Sequence, residues 1–177
     1  MTLTEQLIAT IRDVPDFPKQ GILFKDITPV LADPKLSERV SHAFLAYWRN
    51  KDIDGIVGIE SRGFIFGMKL AQELQVPFIP VRKAGKLPFQ TIKHSYDLEY
   101  GSAEMEIHID AIKPGQNILI HDDLLATGGT ALAAAELIKK CEGNVGGYSF
   151  MVELEFLKGR ESLCADKKID IQTLVGF

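Results

Sequence analysis

"ILIHDDLLATGGTALAAAELI", residues 118–138, sets four features end to end. The apolar run 118–120 has the character of a strand covered on both faces. Two acids, Asp122 and Asp123, follow at once. A small-residue turn, Ala126, Thr127, Gly128, Gly129 and Thr130, comes next, and the apolar spacing from Ala131 to Ile138 predicts a helix. Strand, acid pair, glycine turn and helix together form half of a parallel α/β unit. In such sheets ligands gather at the carboxyl ends of the strands.

That placement gives the residues a chemistry. Two adjacent carboxylates can accept hydrogen bonds from a sugar cis-diol or hold water around a divalent cation. Glycines let backbone approach a ligand closely, and a helix N-terminus offers free N–H groups and the positive end of its dipole. Thr127 and Thr130 add hydroxyl donors. The acid pair and the anion cradle together suit a ribose 5-phosphate. The bland alternative is a plain turn with Thr130 as a helix cap; the coincidence of acids, strand end and threonines weighs against it. No GK[ST] follows the glycines and no GxGxxG is present, so neither a Walker A loop nor a dinucleotide fingerprint is indicated.

Working outward, helix and strand signals alternate. "TLTEQLIATIRDV" is helical, with Thr2 and Glu5 at capping-box spacing. "DFPKQGILFKDITPVLADP" is irregular, broken by prolines and Gly21. "KLSERVSHAFLAYWRN" and "RGFIFGMKLAQEL" are helical; "DGIVGIE" and "VPFIPVRK" are short buried strands. "AGKLPFQTIKHSYDLEYGSAE" has no clean period and predicts a long functional loop. "MEIHID" alternates as a half-exposed strand, and "GGYSFMVEL" predicts a further strand. No repeat or linker divides the chain, so residues 1–177 are expected to form one α/β domain with a mostly parallel central sheet flanked by helices.

Bulk properties narrow the partners. The apolar share is 46%, the charged share 25% and the formal net charge −4. An acidic chain is a poor general binder of nucleic acid, although a local site can still be positive. Cys141 and Cys164 have no CxxC or zinc spacing, which fits free thiols in a reducing compartment. The opening residues lack a signal-peptide layout, and no apolar run nears the ~18 residues of a membrane span. A cytoplasmic protein with no membrane partner is expected.

"ILIHDDLLATGGT" resembles the phosphoribosyl-diphosphate (PRPP) motif of the type I phosphoribosyltransferase family, in the form its adenine-using members carry. "DFPKQGILFKDITPVL", "GIESRGFIFG" with "VRKAGKLP", "SYDLEYGSAEMEI" and "SFMVELEFLKGRE" resemble further stretches of the same family, in the same order. The resemblance implies that fold, with an N-terminal hood at about 14–34 and a flexible lid at about 85–101. It also implies a pentosyltransferase of purine salvage that makes AMP and pyrophosphate from adenine and PRPP, with Mg²⁺ as cofactor, commonly as a homodimer.

Carried over residue by residue, the resemblance puts Asp122 and Asp123 on the ribose hydroxyls. Mg²⁺ would be held mainly by PRPP and water nearby, with no direct protein ligand. Ala126, Thr127, Gly128, Gly129 and Thr130 wrap the 5-phosphate. Glu60, Ser61 and Arg62 form the pyrophosphate loop, with a cis peptide between Glu60 and Ser61. Arg82, Lys83 and Lys86 are basic groups near pyrophosphate, in family dimers partly supplied across the interface. Independently, a dense anion needs such donors. Phe24 stacks on adenine, and the backbones of Leu23 and Lys25 read its amino edge; from pattern alone Phe24 would be a core aromatic. Glu99 assists proton handling at the purine, and Tyr100 closes over the diphosphate. Arg62, Asp122 and Glu99 are the candidate catalytic groups.

Two departures stand out. Gln20 occupies a position where the family usually has proline, which would loosen the turn before the hood. His121 replaces an aliphatic residue before the acid pair. Strand alternation points it away from Asp122, so a satisfied or partly exposed histidine is expected rather than a metal ligand. Rival readings are a transferase for another base, a regulator that keeps the PRPP site without turnover, and a purely structural α/β protein. The absence of a clamp in "EFLKGRE" argues against the first, the absence of a basic extension or of damage to "ESRG" or the lid against the second, and the coincidence of motifs against the third.

Overall fold

The structure, a computed structural model, describes residues 1–98, 101–165 and 169–177. In chain order the elements are α1 (Leu3–Thr10), β1 (Arg12–Pro15), β2 (Leu23–Asp26), α2 (Thr28–Ala32), α3 (Pro34–Trp48), β3 (Gly55–Ile59), α4 (Gly63–Leu74) and β4 (Phe78–Lys83). They continue with β5 (Thr91–Leu98), β6 (Gly101–His108), β7 (Asn117–Leu125), α5 (Gly129–Lys140), β8 (Asn144–Glu153), a 3₁₀ turn (Glu155–Leu157), α6 (Gly159–Leu163) and β9 (Ile171–Gly176).

Seven strands form one sheet in the order β5-β6-β4-β3-β7-β8-β9. The five strands from β4 to β9 in that order pair in parallel; β6 runs antiparallel to both β4 and β5. The expected mostly parallel, helix-flanked sheet is therefore present. From β3 the chain leaves toward β4, and from β7 it leaves toward β8, so the strand order reverses between β3 and β7. Ligands of open α/β sheets bind at such a switch point.

The pairing of β3 with β7 ends at Gly58 and His121, while β7 continues beside β8 to Leu125. Asp122 and Asp123 thus lie within an overhanging strand whose β3-side edge is free of β3. Gly63, which starts α4, fits because it lacks a side chain. A Cβ there would lie 2.7 Å from the carbonyl oxygen of His121. That close packing brings the 60–62 loop against the acid pair.

Each sheet face carries a core. Ile118 and Ile120 pack with Ala131, Ala134, Leu137 and Ile138 of α5. Leu119, between them, joins Leu7, Val40, Phe44, Trp48 and Leu70 on the opposite face. The alternation follows from the two-residue period of a strand. Alanines on the buried side of α5 let that helix lie close to the sheet, since inter-element distance follows side-chain size. Its N-terminus then sits next to the acid pair.

Several expectations are corrected. The first helix has both halves of its capping box, Thr2 N–H to Glu5 at 2.8 Å and Glu5 N–H to Thr2 Oγ1 at 3.2 Å. It stops at Thr10, however, and Arg12–Pro15 become a strand paired with Leu23–Asp26 inside the region expected to be irregular. The turn between them is closed by Asp16, whose Oδ1 accepts from Gly21 N–H at 2.7 Å, so its closure does not depend on residue 20.

The expected long loop at 85–101 is in part a hairpin: Thr91–Leu98 pairs with Gly101–His108. Polar residues hid it because that strand has few apolar side chains to reveal a period. "MEIHID" is not half-exposed at Glu106, which is 2% exposed. Of the lid calls, Glu99 and Tyr100 lie outside the described residues.

Candidate active site

Two loops meet at the β3–β7 crevice. The first, Glu60–Arg62, leaves β3 through a cis peptide between Glu60 and Ser61, as the resemblance implies. The second, Ala126–Thr130, leaves β7. Gly128 adopts φ +90°, a conformation natural to glycine, and caps α5 without any side-chain hydrogen bond. The first-turn amides of α5 are therefore left for a ligand, and Thr130 is not the cap. These residues, with Arg62, Asp122 and Asp123, line a cleft of about 180 Å³. Glu60, Ser61, Arg62, Lys83, Asp122 and Asp123 line an adjoining cleft of about 340 Å³.

The acid pair is electrostatically asymmetric. Asp123 is 3% exposed and accepts from Arg62 Nε at 2.5 Å. Asp122 accepts from the Asp123 backbone N–H at 2.8 Å. Burial, then the neighbouring Asp123 carboxylate, raises the Asp122 carboxyl well above its ordinary value; Arg62 opposes this only in part.

Glu60 is committed to its own chain. Its carboxylate accepts from Arg82 Nη2 at 3.2 Å and from the Lys83 N–H at 2.9 Å. Burial pushes this carboxyl up, but the Lys83 amide and Arg82 outweigh it and hold it below the usual range. Lys83 lines the wider cleft, whereas Arg82 and Lys86 line neither. Arg82 instead reaches the Lys86 carbonyl at 3.2 Å.

The hood meets the site where Phe24 faces Arg62. The Arg62 guanidinium lies 5.1 Å from the centroid of the Phe24 ring, which is also edge-on to Phe17. Leu23 is exposed beside it. The Lys25 side chain turns away from the clefts. Its ammonium bonds Asp13 at 2.6 Å and lies 3.8 Å from the Phe177 ring centroid, so only the Lys25 backbone is left for a base.

His121 is 1% exposed, correcting the expectation of a satisfied or partly exposed histidine: its Nδ1 has no hydrogen-bond partner among the described residues. It lies edge-on to Phe44, 5.0 Å between centroids, and burial lowers its pKa to about 3. A neutral ring on the Leu119 face takes no part in the cleft.

Sequence reasoning missed three supporting residues. Asp13 pairs with Lys25. Glu106 grips the turn before β5. Gly159 presses on the phosphate loop, since a Cβ there would lie 2.2 Å from the Ala126 carbonyl oxygen. No local signal marked any of them: an acid between Met105 and Ile107 in a strand reads as a surface residue.

For a cation, no cluster of three or more His, Cys, Asp or Glu side chains is found among the described residues. The two adjacent carboxylates fit a Mg²⁺ ion that brings water and substrate oxygens with it.

A parallel sheet with an acid pair and an anion cradle at its switch point defines a phosphoribosyltransferase-type domain, and the family model described as phosphoribosyl transferase domain matches residues 31–152. The adenine phosphoribosyltransferase of Christiangramia forsetii is 51% identical over 172 residues, covering 97% of this chain and 99% of that protein. That of Cytophaga hutchinsonii is 47% identical over 175 residues, 99% and 96% of the two chains. The crystal structure of adenine phosphoribosyltransferase from Thermoanaerobacter pseudethanolicus superposes with a TM-score of 0.94 at 48% identity, covering 99% of this chain and 100% of that one. The Saccharomyces cerevisiae enzyme, complexed with an imino-altritol bisphosphate and adenine, gives 0.88 at 44% identity over 97% and 98%. This chain belongs to the adenine phosphoribosyltransferase family.

Proposed function

We propose that this chain transfers the 5-phosphoribosyl group of PRPP to adenine, giving AMP and pyrophosphate in purine salvage, and that its residues divide the work as follows. The 5-phosphate sits in the Ala126–Thr130 cradle on the N-terminus of α5. Asp122 and Asp123 accept the ribose hydroxyls. Ser61, Arg62 and Lys83 face the pyrophosphate from the wider cleft, and Glu60 aligns Arg82 and Lys83 behind them. Lys86 and Tyr100 complete that half of the site, and Glu99 takes up the purine proton.

Adenine stacks on Phe24, with the backbones of Leu23 and Lys25 at its amino edge. A purine nitrogen attacks the anomeric carbon from the face opposite pyrophosphate. The C–N bond forms as the C–O bond breaks, the electron pair leaves with pyrophosphate, and the purine nitrogen loses its proton. Positive charge on the flattening ribose ring is stabilised by Asp122 and Asp123. Positioning and fixed charge, without a covalent nucleophile, supply the catalysis. Asp122 and Asp123 would hold Mg²⁺ beside them through water and PRPP, and the bound ion would offset pyrophosphate charge.

The partner is a second copy of this chain. Ile65 and Met68 expose apolar surface one helical turn apart on α4, the helix that follows the pyrophosphate loop. The free thiols Cys141 and Cys164 suit the cytoplasm, and no described helix is long and apolar enough to cross a membrane.

The observation that carries this reading is the convergence of Arg62, Asp122, Asp123 and the phosphate cradle at one switch point, under a hood bearing Phe24. The test is a competition assay with PRPP, Mg²⁺ and equal adenine, hypoxanthine, guanine and uracil. AMP as the single nucleotide supports it. Another nucleotide would overturn the base assignment, and PRPP binding without turnover would favour a regulator.

A further inference from the structure

Glu106 is a carboxylate where a strand alternation expects a surface residue, yet it is 2% exposed. Its Oε1 accepts from the Lys86 and Leu87 N–H groups, both at 2.8 Å, and its Oε2 from Thr91 Oγ1 at 3.1 Å. Burial pushes this carboxyl up, but the amides of Leu87, Gly85 and Lys86 and the Thr91 hydroxyl outweigh it, keeping it below the usual range. An acid buried against this many donors is ionised at neutral pH.

The turn it grips needs holding. Gly85 runs at φ +83° with nothing within 4 Å of its Cβ position, so local packing does not define it. Outside the turn, Ala84 N–H bonds the Glu104 carbonyl at 3.0 Å. Arg82 bonds the Lys86 carbonyl, and the other edge of the same guanidinium bonds Glu60. One hydrogen-bonded frame therefore runs from Glu106 through the Lys86 peptide and Arg82 to Glu60, the first residue of the loop beside the acid pair.

We propose that Glu106 is a positioning residue for the pyrophosphate half of the site, fixing through its grip on the 85–91 turn where Lys86 and Arg82 are presented. This rests on the transferase reading above. The grip is on backbone, so it sets the place of Lys86 whatever Lys86 itself touches. Adenine is held by the hood, a separate ribbon of β1 and β2, and is untouched by the frame. A loss at Glu106 therefore falls on PRPP and pyrophosphate and spares adenine.

The test is steady-state kinetics of full-length Glu106→Ala, Glu106→Gln and Thr91→Val in both reaction directions. Glutamine keeps one acceptor oxygen for the two amides and presents its NH₂ to the Thr91 hydroxyl. Glu106→Ala should raise KM for PRPP and for pyrophosphate at least tenfold with KM for adenine within twofold, and Glu106→Gln should return both to within about threefold of the native values. If Glu106→Ala does not fold, Thr91→Val carries the same test. It should give a two- to threefold rise in KM for PRPP and faster amide exchange at Lys86 and Leu87, with adenine unaffected.

Native KM for PRPP in a folded Glu106→Ala protein, or in Thr91→Val where that variant carries the test, would overturn the proposal. So would a loss spread evenly over PRPP and adenine, as general destabilisation would produce. Failure of the native protein to make AMP would sink the transferase reading instead, and is scored separately.

Discussion

Arg62 and Asp123 form the shortest link across the crevice, Nε to Oδ2 at 2.5 Å, and the same guanidinium lies 5.1 Å from the Phe24 ring. A base sandwiched between two flat groups needs roughly 7 Å, two van der Waals layers. Adenine therefore cannot enter between Phe24 and Arg62 while Arg62 rests on Asp123. In the reaction proposed above, ribose hydroxyls arriving on Asp123 and an anion arriving in the wider cleft would both draw Arg62 away like a latch and open that face of Phe24.

Arg62→Lys tests the latch. Lysine keeps the charge but loses the planar fork that serves an acid, an anion and a ring from one position. We expect kcat/KM for PRPP to fall about 100-fold, near 2.7 kcal/mol, with the fold intact because the side chain is half-exposed. Stopped-time kinetics with circular dichroism decide it; a loss under threefold would remove Arg62 from the mechanism.

Asp122→Asn separates function from stability. The Asp122 carboxyl is raised by burial and by Asp123, so the folded state holds its proton more tightly than the unfolded chain does. Stability linked to that proton is complete below the ordinary carboxylate range and is lost as pH rises through the raised value. At pH 7 the native protein bears this cost and the asparagine variant does not. The variant should unfold at least about 2 °C higher at pH 7, the size of a 1 kcal/mol change, and the gain should fade toward pH 4. Its turnover should fall sharply. Equal midpoints at both pH values would refute the charge argument.

The hood makes an asymmetric prediction. Lys25 is 9% exposed at the side chain and Asp13 54%. Removing the acid strands a buried ammonium, whereas removing the lysine leaves an acid in water. Asp13→Asn should cost about 2 kcal/mol and Lys25→Met under about 1 kcal/mol. Both should raise KM for adenine, because β2 carries Phe24 and pairs with β1 across this bridge. Urea unfolding of the two variants gives the order; the reverse order would mean that the Phe177 ring alone holds the ammonium.

The strand–acid–turn–helix pattern of residues 118–138 was legible because buried strands, glycine turns and helix spacing are local properties. It placed the strand, the turn, the helix and the sheet class correctly. Non-local pairing was not legible. Arg12–Pro15 and Leu23–Asp26 become strands only by finding each other, and Thr91–Leu98 does so against a neighbour. Nor does a lone sequence say which polar residue is buried: Glu106 and His121 alternate like surface residues until the fold covers them.

The phosphate loop offers a test of coupling. Gly128 stands at φ +90°, and a Cβ there would meet the Gly159 carbonyl oxygen at 3.1 Å; a Cβ on Gly159 would meet the Ala126 carbonyl at 2.2 Å and Leu125 at 2.9 Å. The first strains the loop from within, at about 1–2 kcal/mol for a left-handed alanine. The second pushes backbone against backbone, an overpacking cost of about 1–3 kcal/mol. Each should raise KM for PRPP and leave KM for adenine unchanged, because the hood is elsewhere. Because both act on one contact, Gly128→Ala with Gly159→Ala should cost less than the two single changes added, by at least about 0.5 kcal/mol. Once either alanine has displaced the loop from α6, the second meets a gap already opened. Strict additivity in urea unfolding, with KM for PRPP unmoved in Gly159→Ala, would show that α6 packs on the loop without setting its shape.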